Sequence, residues 1–247
     1  MPVFPKKRGM LRAYCSEWDG GKTLPELDRD ELHHLVRVRR VRPGEQIEVL
    51  NGRGAVASAR VAEMGSKHLE LQVDGIEQAK APVLSRHLLV ALPKGKTFPA
   101  LLQKMTELGV AKITPLLTDN SEVPQERAGR KSDRWETVLI EAVKQSGNPW
   151  MPKLNSPVSL ADALSSSDAS RRICAALQPD ARPLKDVLAD FPDLAGTVDV
   201  YVGPEGDFSD REYALLREGH CQFISLGPIV LRVETAASLV MGVLGIW

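Results

Sequence analysis

From Ser85 to the last residue the chain alternates short aliphatic and β-branched runs with longer segments of helical periodicity, and this alternation limits the fold more than any other feature. "HLLVALP", "AKITPLL", "RRICAALQP", "TVDVYV" and "QFISLGP" read as strands. "FPALLQKMTELG", "SDRWETVLIEAVKQSG", "PLKDVLADF", "SDREYALLREG" and "ETAASLVMGVLGIW" read as helices, the first two ending in the glycines expected of C-caps. Strands separated by helices are joined by crossovers, so this part of the chain predicts an α/β domain with a mostly parallel sheet.

The first third has a different period. "QIEVL", "GAVASARVAEM" and "KHLELQVDGI" are short alternating segments split by "NGRG" and "GSK", the pattern of consecutive β-hairpins. The polar stretch "EQAKAP", Glu77 to Pro82, marks the expected boundary between a small β-rich domain, residues 1–76, and the α/β domain, residues 77–247.

Charge is distributed unevenly between these parts. The net formal charge is zero, yet residues 1–60 carry 12 Lys and Arg against 8 Asp and Glu, a balance of +4, which the remaining residues offset with 20 against 24. The centre of the positive end is "HHLVRVRRVRPGE", where Arg37, Arg39, Arg40 and Arg42 fall within six positions, a candidate set of RNA phosphate contacts. Three widely spaced cysteines, Cys15, Cys174 and Cys221, predict neither a disulfide framework nor a zinc site. The adjacent His33 and His34 have no ligand-spaced partner, and no metal is expected. No apolar run reaches the ~20 residues that a membrane helix needs, and "MPVFPKKRGM" lacks the core of a signal peptide, so a cytoplasmic location with no membrane partner is expected. "LPKGKT" and "DGGKT" end like a phosphate-binding loop but have Val90 and Ser16 where its first glycine belongs, which excludes an ATP site of that kind.

The informative loops lie near the C-terminus. "GPEGDFSDRE" follows a strand and precedes a helix whose Ser209 and Glu212 have capping-box spacing. In an open α/β sheet such a loop sits at the ligand-binding end, and its acids, Glu205 and Asp207, favour a neutral or cationic ligand over a phosphate. "ISLGPIVLRVETAA" supplies a second glycine-proline loop and then a helix start at Arg232, Glu234 and Thr235, where backbone amides are free. Two such loops and one helix start could together enclose a flat heterocycle.

Taken in order, "LPKG", "LQKMTELGVAKITPLLTDNSEV", "RWETVLIEAVKQSGN", "VGPEGDFSDRE" and "SLGPIVLRVETAA" resemble the signatures of the bacterial 16S ribosomal RNA (uridine-N3)-methyltransferase family, part of the SPOUT superfamily. The resemblance extends to "HHLVRVRRVRPGEQIEVLNGRG" and so covers nearly the whole chain. It implies a PUA-like RNA-binding β-barrel followed by an α/β domain with a deep C-terminal trefoil knot, a homodimer, S-adenosylmethionine as cofactor, and 16S ribosomal RNA or the small subunit as substrate. Carried onto this chain, the cofactor would lie against Leu177, Gly203, Pro204, Glu205, Gly206, Ser225, Leu226, Gly227, Leu231, Arg232, Thr235 and Ala236. Arg232 would stabilise the uridine anion, a salt bridge to Glu234 or Glu205 being its structural alternative, and Glu205 could take the N3 proton. Lys94, Lys104, Glu107, Glu141 and Gln145 match signature positions suited to RNA placement or support of the site, with an ion pair as the alternative for Lys104 and Glu107. The chain departs from the family pattern at Asp207, where glycine is usual, at Ile229, where a basic residue is usual, and at Asn148, where arginine is usual. The last two departures favour a rival reading, a non-catalytic RNA-binding or ribosome-assembly protein on the same fold. A SPOUT methyltransferase acting at another RNA site is a further alternative.

Overall fold

The computed structural model describes residues 10–65, 68–93, 97–121, 132–191 and 195–246. It divides into two compact units, residues 1–81 with 140–151, and residues 82–139 with 152–247. The sequence-predicted RNA contact Lys94 lies outside the described residues.

The first unit begins with strand β1 (Leu11–Tyr14) and helix α1 (Arg29–His33), which continues as a π-helical segment, His34–Arg39. Asp28 caps α1 by accepting from the amides of Asp30 and Glu31. Strands β2 (Gln46–Leu50), β3 (Ala55–Met64) and β4 (Leu69–Gln78) follow. They pair antiparallel as the hairpin pattern predicts, while β1 pairs parallel to β2, giving the order β1-β2-β3-β4. No β1–β4 pairing closes this sheet among the described residues. Ala13, Trp18, Leu35, Ile47, Val49 and Ala57 fill its core. The π-helical segment turns Leu35 into that core and leaves Arg37, Arg39 and Arg40 exposed, with Arg42 exposed beyond it.

A second cluster in this unit needs residues from later in the chain. Val143, Ile140 and Met151 pack with Tyr14, Leu50 and Val56. Beside them the Lys144 ammonium donates to Glu31 and, at 2.6 Å, to Glu141. Burial draws the Lys144 pKa down, and the hydrogen bonds it donates to Glu141 and Glu31 more than offset this, leaving the ammonium above its ordinary value. Glu31 is pushed up by burial, which outweighs its hydrogen bonds with Lys144 and the Tyr14 backbone, and among the described residues its second oxygen, Oε2, makes no hydrogen bond of good geometry. Glu141 is thereby committed to an ion pair, and the Gln145 carbonyl accepts from Arg12 at 3.2 Å. Asn148 works as a turn residue whose Oδ1 accepts from the Trp150 amide at 3.0 Å.

The second unit runs β5 (Leu84–Ala91), α2 (Thr97–Glu107), β6 (Lys112–Leu117), α3 (Ser132–Ser146, whose last residues belong to the first unit), β7 (Lys153–Leu154), β8 (Val158–Ser159) and α4 (Leu160–Ser165). It continues with β9 (Arg171–Ala175), β10 (Arg182–Pro183), α5 (Leu184–Ala189), β11 (Gly196–Val202), α6 (Asp210–Glu218), β12 (Gln222–Ser225) and α7 (Val233–Ile246). Eight strands form one sheet in the order β10-β12-β9-β11-β5-β6-β7, with β8 also on β6, and every pairing is parallel. The crossover argument from sequence thus holds, and the short strands β7, β8 and β10 are additions too brief to show a period.

Two buried polar arrangements fix the helices and strands of this sheet. Gly109, at φ +70, ends α2 as the sequence predicts, with the Val110 amide bonded back to the Met105 carbonyl. The buried Arg86 guanidinium then donates to the Leu108, Gly109 and Met241 carbonyls at 2.7, 3.0 and 2.7 Å, tying the end of α2 and the middle of α7 to β5. Burial without a carboxylate partner lowers the Arg86 pKa. Across neighbouring strands, His87 bridges Asp199 at 2.8 Å and Thr114 at 2.7 Å, and Asp199 also accepts from Ser167 at 2.6 Å.

Candidate active site

Strands β12, β9 and β11 lie side by side in the sheet, so the loops at their carboxyl ends are neighbours although they are far apart in sequence. Together with the start of α7 they enclose a cavity of about 260 Å³. Ala175 to Leu177 follow β9, Val202 to Glu205 and Asp207 follow β11, and Ile224 to Gly227 with Ile229 to Val233 follow β12, while Ala236 closes it from α7. This is the ligand-binding end of a parallel sheet.

Most of the residues singled out in the sequence meet here: Leu177, Gly203, Pro204, Glu205, Ser225, Leu226, Gly227, Leu231, Arg232 and Ala236 line one cavity. Gly206 and Thr235 do not line it. The Gly206 carbonyl instead accepts from Asn120 at 3.2 Å, and Thr235 is an exposed residue on the first turn of α7 whose amide donates to the Arg232 carbonyl at 3.0 Å. Ala175, Ala176, Val202, Asp207, Ile224, Ile229, Val230 and Val233 line the cavity without having been assigned to it. Their signal was adjacency: each stands within two residues of an assigned position.

The two loop glycines serve different needs. Gly227 has φ +123, a backbone region that side chains rarely adopt, and a Cβ there would point into open space. Gly203 and Gly206, which lack a Cβ and could let a ligand approach the backbone closely, are not among the positive-φ glycines. Gly203 lines the cavity, and a Cβ there would come within 3.0 Å of the Phe208 ring, so packing of the protein against itself also favours glycine at this position.

The loop after β11 is rigid for identifiable reasons. The predicted capping box is formed, with Ser209 Oγ accepting from the Glu212 amide and Glu212 Oε2 accepting from the Ser209 amide at 2.9 Å. The same Glu212 reaches back through Oε1 to the Asp119 amide at 3.0 Å, and Asn120 holds the Gly206 and Asp207 carbonyls. Asp207 adopts φ +62, the left-handed region in which glycine and, less often, aspartate are found. Its Oδ1 accepts from the Phe208 amide at 2.8 Å and from the Tyr213 hydroxyl at 2.7 Å. Burial, reinforced by that hydrogen bond, pushes the Tyr213 hydroxyl well above its ordinary range and keeps it a donor.

Charge in the cavity comes from Glu205, Asp207 and Arg232. Arg232 is exposed at the start of α7, and neither of its sequence-predicted partners, Glu205 or Glu234, forms an ion pair with it among the described residues. The guanidinium is therefore available to a substrate. Lys104 and Glu107 on α2 are likewise exposed and do not pair with each other. The rim is apolar: Leu177, Ile229 and Val230 are 62%, 74% and 71% exposed. Two carboxylates disfavour a phosphate in the cavity, whereas glycine-lined backbone, an apolar rim and net negative charge fit an uncharged heterocycle carrying a cationic centre. S-adenosylmethionine has that chemistry. Among the described residues no group of three or more His, Cys, Asp or Glu side chains could hold a metal ion, and no helix is long and apolar enough to cross a membrane.

Comparison with known proteins gives the same direction. Residues 79–245 match the family model of an RNA methyltransferase domain, and residues 27–74 match that of an RNA methyltransferase PUA domain. A relative from Aquifex aeolicus (strain VF5), "Ribosomal RNA small subunit methyltransferase E", is 31% identical over 238 residues, covering 95% of this chain and 99% of its own length. Among solved structures, one from Legionella pneumophila with the bound cofactor SAM superposes with a TM-score of 0.85 at 30% identity, covering 95% of this chain and 96% of that one. A "Ribosomal RNA small subunit methyltransferase E" from Neisseria gonorrhoeae bound to S-adenosyl methionine gives a TM-score of 0.83 at 27% identity, with the same coverage.

Proposed function

The chain belongs to the RNA methyltransferase family, and from that premise we propose that it methylates N3 of one uridine in 16S ribosomal RNA, using S-adenosylmethionine. The observation that carries this reading is the convergence of three strand-end loops and one helix start on a single cavity, in a chain that aligns over 95% of its length with structures that hold this cofactor. Gly203 to Glu205, Ser225 to Gly227, Leu231 and Ala236 would hold the cofactor, and Leu177 would close its edge. When bound, it supplies an electrophilic methyl group on its sulfonium.

The residues of the chain do the remainder. Uridine N3 bears a proton and is a poor nucleophile until that proton leaves, so the site must favour the imide anion. Arg232, exposed and without an ion-pair partner among the described residues, would stabilise the charge on N3 or its neighbouring carbonyl. Glu205 would accept the proton, directly or through water. Residues 1–76 would act as the RNA-binding PUA-like domain and residues 77–247 as the catalytic domain. Arg37, Arg39, Arg40 and Arg42 are exposed as RNA phosphate contacts must be, and Lys104 is exposed in the catalytic domain. The deep trefoil knot belongs to this reading. Its support is that the last two of the three cavity loops and the closing helix all come from the final fifth of the chain.

Mass spectrometry of 16S ribosomal RNA from a strain lacking the gene tests the assignment. Loss of 3-methyluridine at one site, restored by the intact gene, is expected. Loss of a different methylated nucleotide would point to another RNA target, and no loss at all to a non-catalytic role. The work would take place in the cytoplasm, where ribosomal subunits are assembled.

A homodimer is part of the proposal. Helix α7 buries Val233, Ala236, Ala237, Val240, Met241 and Leu244, yet leaves Leu239 and Ile246 exposed, as are Ile229 and Val230 before it. Light scattering at micromolar concentration is expected to give twice the 27.1 kDa chain mass. A monomer mass would remove the dimer from this reading.

A further inference from the structure

Glu205 and Asp207 both line the cavity, and Arg232 is the one basic side chain in its lining, so the wall carries one net negative charge. Asp207 is what tips that balance. Its left-handed backbone, φ +62, would suit glycine at least as well, so the turn itself does not call for a carboxylate. Nor is the side chain free to swing out. Oδ1 is held by the Phe208 amide and the Tyr213 hydroxyl, and Tyr213 is itself packed edge-on between Phe208 and Phe223, with ring centroids 5.8 and 5.5 Å away. The loop backbone on either side is pinned by the Asp207 amide on the Pro204 carbonyl and by Asn120 on two carbonyls. A carboxylate held in place by these bonds thus belongs to a residue of the cavity wall, and it needs no reorganisation when an occupant arrives.

We propose that Asp207 is a specificity-determining residue that makes the pocket discriminate by ligand charge, favouring the sulfonium cofactor over its neutral thioether product. This rests on the reading of the cavity as the S-adenosylmethionine site. The two ligands share the adenosine and amino-acid parts and differ by one methyl group and one positive charge, so contacts made through loop backbone and apolar rim act on both. A carboxylate on the wall acts mainly on one. In a solvent-open cavity a single fixed charge changes cation affinity by on the order of fivefold, and salt screens the effect. The consequence for turnover is that the product leaves a site that holds the substrate form more tightly, which limits product inhibition.

Isothermal titration of S-adenosylmethionine and S-adenosylhomocysteine into the full chain, the Asp207→Asn variant and the Asp207→Gly variant, each at low and high salt, tests the inference. Asparagine keeps an oxygen acceptor for the Phe208 amide and the Tyr213 hydroxyl while removing the charge. Glycine keeps the backbone conformation and removes both. Both variants are expected to weaken S-adenosylmethionine by about fivefold, to leave S-adenosylhomocysteine within about twofold, and to lose most of the salt dependence of the ratio. Equal weakening of the two ligands would overturn the inference and reduce Asp207 to a turn residue, as would an unchanged ratio with both ligands bound. Failure of the unaltered protein to bind either ligand would overturn the site assignment itself, and the inference with it.

Discussion

Arg232→Ala lowers kcat by about 10²–10³, the loss expected when one preorganised donor to a developing anion is removed. The guanidinium is exposed at the mouth of the cavity and has no ion-pair partner among the described residues, so its removal breaks no internal network. What Arg232 contributes to α7 is its backbone carbonyl, which accepts from the amides of Thr235 and Ala236 at 3.0 and 2.9 Å and survives the substitution. Cofactor affinity measured by titration should therefore stay within about threefold, a shift below 1 kcal/mol. Arg232→Lys should recover part of the rate, because an ammonium keeps the charge without the planar fork. Single-turnover rates on small ribosomal subunits at saturating cofactor provide the measurement. A variant with full rate and weakened cofactor binding would assign Arg232 to the cofactor and leave the anion without its stabiliser.

The second large effect is on stability. Lys144→Met lowers the unfolding free energy by about 3–5 kcal/mol, because it strands the Glu31 carboxylate in the interior of the first unit. Glu31 Oε1 loses its ammonium donor, and among the described residues Oε2 makes no hydrogen bond of good geometry to replace it. The loss should depend on pH with a definite sign. Burial already raises the Glu31 pKa, and without the ammonium the native state binds its proton more tightly than the unfolded chain, whose value is near 4.5. Stability of the variant then falls as pH rises above that value, so the deficit is small at pH 4 and full at pH 8. Combining Glu31→Leu with Lys144→Met removes the buried charge altogether and should restore most of the loss. Urea midpoints at the two pH values, with circular dichroism as the probe, measure all of this. A single variant as stable as the parent at pH 8 would mean that the Glu31 carboxylate reaches water.

Much of this architecture is legible in the sequence, for reasons that particular residues make plain. Strand β5 lies inside the parallel sheet between β11 and β6 and is buried continuously from Arg86 to Ala91, and such burial produces unbroken runs like "HLLVA". Ser209 and Glu212 form their capping box because both partners lie within one helical turn. Local rules of this kind fail where partners are far apart. Nothing near Arg86 indicates that it closes the ends of α2 and α7, since Leu108 and Met241 are 22 and 155 residues away. Glu31 and Lys144, 113 residues apart, read as ordinary surface charges on amphipathic helices. At the cavity, the resemblance supplied the ligand and the sequence supplied the loops. Neither gave the direction of each side chain, which is why Gly203 proves to face Phe208 and why Asp207, entered as a departure from a pattern, has a specific pair of hydrogen bonds to explain its conformation.

The first unit is discontinuous along the chain, and that has a consequence during synthesis. The ribosome releases residues in order, at about 5–20 per second. Val143, which seals Tyr14, Leu50 and Val56, and Lys144, which neutralises Glu31, follow the 58 residues from Pro82 to Leu139 that belong to the other unit. The nascent amino-terminal segment therefore spends about 3–12 s with an unsealed apolar cluster and an unneutralised acid, a window in which a chaperone can act on it. An amino-terminal fragment ending at Ala81 would carry that exposed cluster permanently.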